Sequence, residues 1–228
     1  QAVLALHRVR QGFVKARTAQ ANQIRGLLGE YGVIVPQGIA HVTERVPELI
    51  EDASIELPGS FRILIDRLLE HLRLLHRQVD EIEAQIKDWH RSNEASRRLE
   101  KVPGIGPITA SALVATVGDA TNFDNGRQLA AWLGVVPRQH SSGGKQNLLG
   151  MSKRGDAYLR TMLIHGARSV IYRATQKADP KNWVFNVTTR RNKNVAAVAL
   201  ANKTARIVWA LLVHGREFHA GHSAAAAV

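Results

Sequence analysis

Residues 61–89 read FRILIDRLLEHLRLLHRQVDEIEAQIKDW. Phe61, Ile65, Leu68, Leu72, Leu75, Val79, Ile82, Ile86 and Trp89 follow one another at alternating spacings of four and three, without a break. An apolar residue every 3.5 positions returns to the same face of a helix, and a stripe that narrow has to be covered by another helix. Arg67, Glu70, Arg73, Arg77, Glu81, Glu83 and Lys87 stand on the flanking positions. The partner is either another helix of this chain, which makes a hairpin, or the same segment of a second copy, which makes a homo-oligomer. Ile63, Leu64, Leu69 and Leu74 are apolar but off the seam, and they leave both options open.

Working outward, residues 1–30 also read as a helix. Leu6, Val9, Phe13, Ile24 and Leu27 recur at helical spacing, with Arg8, Arg10, Lys15, Arg17 and Arg25 between them. Gly29, Gly32, Pro36 and Gly38 end it. A short second helix is expected over 39–50, then a turn at Pro58, Gly59 and Ser60. Beyond residue 99 the pattern breaks into shorter helices, expected over 107–117, 125–133, 154–177, 181–191 and 194–214. Gly118 and Gly134 stand where left-handed residues close helices. Residues 134–152 are rich in Gly, Ser and basic side chains, too polar for a core element. The chain therefore reads as mainly α: a long coiled-coil helical hairpin followed by a compact helical domain. The divisions expected are linking helices over 1–59, the coiled-coil helix over 60–98, a glycine hairpin over 99–119, a C-terminal domain over 120–217 and a disordered tail over 218–228.

Charge narrows the function classes. The 228 residues carry 31 Lys and Arg against 19 Asp and Glu, a formal net charge of +12. An excess of that size points first to nucleic acid and second to an anionic membrane surface. There is no Cys, which excludes disulfide scaffolds, Cys-based zinc sites and thiol catalysis. No run reaches the roughly 18 uninterrupted apolar residues of a membrane span, because Lys203 and Arg206 interrupt the C-terminal apolar stretch. No membrane partner is expected, and the setting expected is intracellular. The chain opens on Gln1 already within helix-like sequence, and it reads as part of a longer protein.

Val102-Pro103-Gly104-Ile105-Gly106-Pro107-Ile108-Thr109-Ala110 is the first chemical motif. Two glycines allow a tight turn without side chains over the amides. Pro107 suits the first position of a helix, where its missing N–H costs nothing. The free amides at that helix start can hold a phosphate. This is the make-up of a helix-hairpin-helix, which grips a nucleic-acid backbone without reading bases. Gly104, Ile105, Gly106 and Thr109 are its candidate contacts. The plainer alternative is a helix corner punctuated by Gly and Pro.

The second motif runs Arg138-Gln139-His140-Ser141-Ser142-Gly143-Gly144-Lys145, then Ser152-Lys153-Arg154-Gly155-Asp156 and Tyr158-Leu159-Arg160. A serine hydroxyl becomes nucleophilic when a base or a positive field activates it. Phosphoryl transfer also needs cations near the charged oxygens. Arg138, Lys145, Lys153, Arg154 and Arg160 supply that charge, and His140 is the histidine placed to act as a base. From residue types alone, such a loop is more often a phosphate-holding or structural loop than a catalytic one. A third basic group, Arg190, Arg191 and Lys193, reads first as a solvated corner before a helix that Asn194 would cap. The aspartates are scattered and several suit helix caps, so no metal site is expected in this chain.

Together these motifs, with Phe123, Arg127-Gln128-Leu129-Ala130-Ala131-Trp132-Leu133-Gly134 and Pro137, resemble the C-terminal domain of insertion sequence 110 family transposases, in the subgroup typified by insertion sequence 1111. The resemblance is dense over about residues 99–215, and it makes the compact helical domain a helix-hairpin-helix-containing transposase domain. It implies a serine that attacks DNA, falling here on Ser142 with Ser141 as the alternative register. It implies an N-terminal RuvC-like domain with a DEDD acidic tetrad that binds Mg²⁺. That tetrad would precede Gln1, so no cofactor is expected in this chain. A bridge RNA partner and a homo-oligomer working on DNA are implied as well. The rival reading is a non-enzymatic helix-hairpin-helix module that binds DNA.

Overall fold

The structure, a computed structural model, describes residues 1–140, 147–177, 179 and 182–219. It is mainly α. Among the described residues there are nine α-helices, one 3₁₀ turn and one two-stranded sheet. They divide into two compact units, residues 4–85 and the residues from Ile86 on.

The first unit holds α1 (Ala2–Glu30), α2 (Ile39–Glu51) and most of α3 (Gly59–Ser92). Helices α1 and α3 run antiparallel within the one chain. Arg10 donates through Nε and Nη2 to Glu83 Oε1 at 2.9 and 2.6 Å, Arg17 Nη1 lies 3.3 Å from His76 Nδ1, and Gln20 Oε1 lies 2.8 Å from His71 Nδ1. The contact positions fall along α3 as they rise along α1. The seam read on α3 holds: Ile65, Leu72, Leu75, Val79 and Ile86 are buried, and Phe61, Leu68, Ile82 and Trp89 are half-buried. Leu69, off the seam, is also fully buried, whereas Ile63, Leu64 and Leu74 are exposed.

The stripe on α1 departs from expectation. Its inward face is Val3, His7, Arg10, Val14, Arg17, Ala21, Ile24 and Leu28, spaced alternately by four and three and all buried or half-buried. Val9, expected on the apolar face, is exposed. Three of the inward positions are charged or titratable, and a count of apolar residues passes over them.

Helix α2 packs into the core between α1 and α3. Val42 and Val46 join Ala21, Ile24, Leu28, Val35, Leu57, Ile65, Leu69 and Leu72 in one apolar core. The Arg62 guanidinium ties the α2–α3 connection, donating to the carbonyls of Leu57 at 3.1 Å, Asp52 at 3.0 Å and Ile55 at 2.6 Å, and to that of Ile50.

The second unit contains α4 (Glu94–Glu100), α5 (Pro107–Val117), the 3₁₀ turn Ala120–Asn122, α6 (Gly126–Trp132), strands β1 (Pro137–Gln139) and β2 (Leu148–Met151), then α7 (Ala157–Lys177), α8 (Trp183–Arg190) and α9 (Lys193–His214). Helix α9 is the centre. Ala196, Ala197, Leu200, Ala201, Thr204, Ala205, Val208 and Leu211 are buried, and the helix packs against α4, α6, α7 and α8. Its four buried alanines let neighbouring backbones come close. It is also, among the described residues, the one helix long and apolar enough to cross a membrane, and in this unit it is a core helix. Trp209 Nε1 donates to Phe123 O at 2.9 Å, so the indole N–H is satisfied where its ring is half-buried.

Helix ends follow local chemistry. Side chains of Asn93, Asn125, Asn182 and Asp156 accept from the first-turn amides of α4, α6, α8 and α7. Gly118 and Gly134 take positive φ where α5 and α6 end. The cap expected at Asn194 is made by Asn192, whose Oδ1 accepts from Asn194 N at 2.9 Å. Helix α9 starts at Lys193, so the extended residue before it is the one free to cap. Asn194 lies inside the helix, and its Oδ1 accepts from Arg168 Nη2 at 3.2 Å. Of the tail expected over 218–228, Phe218 is half-buried against the core and His219 is exposed; the rest lies outside the described residues.

Candidate nucleic-acid interface

Helices α4 and α5 pack on each other and are joined by residues 101–106. The turn is held by Val102 N to Leu99 O and Ile105 N to Val102 O, both 3.0 Å. Leu99, Val102 and Ile105 point into the core, so Ile105 can offer a ligand only its backbone. Pro107 occupies the start of α5 and Gly106, its cap, has no side chain to cap it. The first-turn amides of Ile108 and Thr109 therefore have no intrahelical acceptor.

The two glycines of the turn have different work. A Cβ on Gly106 would meet nothing within 4 Å, so that face is open. Gly104 has φ +88°, and a Cβ there would stand 2.8 Å from the carbonyl oxygen of Gly166 in α7. A Cβ on Gly166 would stand 2.0 Å from Gly104 O. The hairpin thus rests on α7 backbone to backbone, a role that the sequence alone suggests for neither residue. A lone Gly inside a helical run is the available signal at 166. Lys101 of the turn pairs with Glu217, whose carboxyl the Lys101 hydrogen bond holds below its ordinary range.

Ser141, Ser142 and Lys145 lie outside the described residues. The described residues on either side form a ribbon. Strands β1 and β2 pair antiparallel, Pro137 against Met151 and Gln139 against Leu148, with one extra residue bulged on β2. His140 N donates to Asn147 O at 2.9 Å beyond the last strand pair. Every strand residue but Met151 is exposed. Arg138 in β1 and Lys153 and Arg154 after β2 are exposed with it.

The base of the ribbon is tightly fixed. Ser152 N donates to Val136 O at 2.8 Å and Lys153 N to Gly134 O at 3.2 Å. A Cβ on Gly134 would fall 1.7 Å from Arg154 O, and one on Gly155 would fall 1.8 Å from Trp132 O. Lys153 has φ 56°, the one positive φ outside glycine among the described residues. Arg160 Nη1 donates to the carbonyls of Leu133 and Arg154 at 3.3 Å and of Gly155 at 3.4 Å. Its guanidinium is thereby a brace for the ribbon, a role that residue type alone does not reveal. The ribbon base meets the start of α7 and the hairpin rests on Gly166. Nine helical steps, from Ala157 to Gly166, separate the two, about 14 Å at 1.5 Å per residue.

The remaining candidates behave as solvated features. Arg190, Arg191 and Lys193 are exposed at the corner between α8 and α9. Asp119 accepts from the amide and hydroxyl of Thr121, which hold its carboxyl below the ordinary range. Among the described residues no three His, Asp or Glu side chains converge to hold a metal. His90 is buried, its Nδ1 2.7 Å from Ser96 Oγ and its Nε2 3.0 Å from Glu100 Oε2. Ser96 is fully buried too, so this trio fastens the end of α3 to α4.

Residues 96–181, from α4 to just past α7, match the profile of the transposase IS116/IS110/IS902 family. The chain is 49% identical over 214 residues to the "Probable family 20 transposase" of Pseudomonas aeruginosa, across 93% of this chain and 63% of that protein. It is 41% identical over 222 residues to the "Transposase for insertion sequence element IS1111A" of Coxiella burnetii, across 97% of this chain and 61% of the relative. It is 42% identical over 219 residues to the "Transposase for insertion sequence element IS1328" of Yersinia enterocolitica, across 96% of this chain and 65% of the relative. The chain spans less than two thirds of the length of these curated relatives. Its matched segment contains the glycine hairpin, the exposed ribbon and the helix that carries both, and over that segment the chain carries the domain of the transposase IS116/IS110/IS902 family.

Proposed function

We propose that this chain is the C-terminal part of a DNA transposase that cuts and rejoins phosphodiester bonds at an insertion sequence, with Ser142 as nucleophile and Ser141 as the alternative register. The observation that carries this reading is the exposed β1–β2 ribbon. The two serines stand between its ends in sequence, and Arg138, Lys153 and Arg154 are presented on it and at its base.

The Ser142 hydroxyl loses its proton and its Oγ bonds to a DNA phosphorus. The bond from that phosphorus to one deoxyribose oxygen breaks, and that oxygen takes up a proton. The phosphodiester becomes a phosphoserine ester of similar energy, so a hydroxyl on another strand can reverse the step without ATP. Arg138, Lys145, Lys153 and Arg154 offset the charge on the non-bridging oxygens. Arg160 acts one step back, holding the carbonyls of Leu133, Arg154 and Gly155 at the base of the ribbon. The first-turn amides of α5, around Gly106 and Thr109, hold a backbone phosphate elsewhere on the same DNA.

A RuvC-like segment with a Mg²⁺-binding DEDD set, a bridge RNA and assembly into an oligomer complete the proposal, all on the strength of family resemblance. In this reading the metal belongs to the RuvC-like segment, and no step on this chain is routed through Mg²⁺.

The test is trapping of a covalent protein–DNA adduct. It uses the protein with the upstream segment of its relatives restored, its RNA and Mg²⁺, followed by mass spectrometry of the adduct. A phosphoserine link at Ser142, absent in Ser142→Ala, is the expected result. Normal recombination by both Ser141→Ala and Ser142→Ala would overturn the serine mechanism and leave the hairpin as a DNA-binding module.

A further inference from the structure

The first unit carries a basic cleft that the serine chemistry does not use. It has a volume of about 520 Å³ and lies where α1, α2 and α3 meet. Arg17 from α1, Thr43 and Glu44 from α2, and Arg73, His76 and Arg77 from α3 line it.

Three features set this cleft apart from a solvated charged face. Arg17 Nε is buried with no hydrogen-bond partner, an arrangement that costs free energy unless a ligand accepts from it. The guanidinium is oriented nonetheless: Nη1 lies 3.3 Å from His76 Nδ1, and His76 Nε2 lies 3.5 Å from Asp80 Oδ2. Arg73 and Arg77 are exposed and make no ion pair or hydrogen bond among the described residues. Helix α2 opens on the cleft through Ile39 and Ala40, and its cap Gly38 supplies no side-chain acceptor. Its 13 residues bring the positive end of a helix dipole to the same place. Against three arginines the lining holds a single carboxylate, Glu44.

We infer that this cleft binds backbone phosphates of a nucleic acid, as a second site separate from the hairpin and ribbon of the C-terminal unit. Arg17 and the α2 amides receive the phosphate oxygens while Arg73 and Arg77 flank them. The lining has no Phe, Tyr or Trp on which a base could stack, so the site reads charge and spacing and not sequence. The inference does not depend on Ser142.

The experiment is fluorescence anisotropy with the 228-residue chain across a salt series, on a single-stranded RNA, an RNA hairpin and a DNA duplex. Arg73→Gln/Arg77→Gln should weaken binding roughly tenfold. It should also make the slope of log K against log salt shallower by about 0.7–0.9 for each phosphate that is no longer neutralised. Arg8→Gln/Arg67→Gln removes the same charge from exposed positions outside the cleft and should do much less. Glu44→Gln should act in the opposite direction, tightening binding about twofold by the same electrostatics. Weakening confined to RNA, confined to DNA or common to both supports the site and identifies its ligand. Equal weakening in the cleft and control variants would reduce the effect to diffuse charge and overturn it. So would unchanged binding of every probe by Arg73→Gln/Arg77→Gln together with no tightening by Glu44→Gln.

Discussion

Along the inward face of α1 the chain places His7, Arg10 and Arg17 among apolar residues, with Gln20 buried beside them. The unit from Ile86 on closes differently. Its interior is mostly Leu, Val, Ile and Ala, and at Gly104, Gly126, Gly134, Gly155 and Gly166 a Cβ would come within 3 Å of another backbone atom. The first unit thus holds part of its seam with groups that titrate or pair, and it should answer to pH and charge. The second holds its close contacts by the absence of side chains, and it should answer to the addition of one methyl group.

The sharpest way to break the contrast is Gly166→Ala. Helix propensity alone favours Ala by about 1 kcal/mol. The carbonyl of Gly104 stands 2.0 Å from where the new Cβ would go, and the expected result is a loss of about 4 kcal/mol in urea denaturation. A gain would mean that α7 and the hairpin are not in backbone contact.

The second expectation concerns His7. Burial, and then the nearby Arg10 charge, push its pKa from 6.5 down to about 4. The folded chain therefore binds fewer protons here than the unfolded one. Its contribution is whole above the unfolded value of 6.5, falls as pH drops through the window from 6.5 to about 4, and levels off below. The loss across that window should reach about 3 kcal/mol at most. Urea midpoints for wild type and His7→Met at neutral pH and at the acid end of the window measure it. Equal slopes in the two proteins would mean that His7 does not set the acid sensitivity.

The smallest expected effect is at Glu83, which receives Arg10 with both side chains largely shielded. Glu83→Gln should cost about 1 kcal/mol and make stability less sensitive to salt. The same denaturation series with added salt checks it.

These two modes of closure also explain what can be read from the sequence. The seam of α3 is legible because Ile65, Leu72, Leu75, Val79 and Ile86 are apolar at every turn. Helices α5, α6, α8 and α9 fall within a residue or two of their expected bounds because Gly, Pro and Asn punctuate them. Helix α7 starts three residues later than expected, because Asp156, and not a residue before Arg154, caps it. The α1 seam has a different phase from the expected one, since an inward arginine looks like a surface arginine until Glu83 or His76 is known to face it. The choice between an intramolecular hairpin and a second copy cannot be made from α3 alone. At the candidate site, the turn at Gly104 to Pro107 is legible as backbone chemistry. The support beneath it is not, because Gly166 lies 62 positions away in sequence and has no side chain to announce its role. Arg160 reads as a phosphate ligand because charge is visible in sequence, whereas three backbone carbonyls converging on it are not.

The meeting of Gly104 and Gly166 has a consequence for how such a protein can change over generations. A substitution in an ordinary core can be offset by trimming its neighbour. Here each neighbour is already as small as a residue can be, and each meets the other's carbonyl. The two positions behave as one heritable unit with a single permitted state. Descendants can vary the hairpin's outward residues, such as Lys101 and Pro103, and so adjust grip. The footing itself must pass down unaltered or be rebuilt with α7 at a new distance.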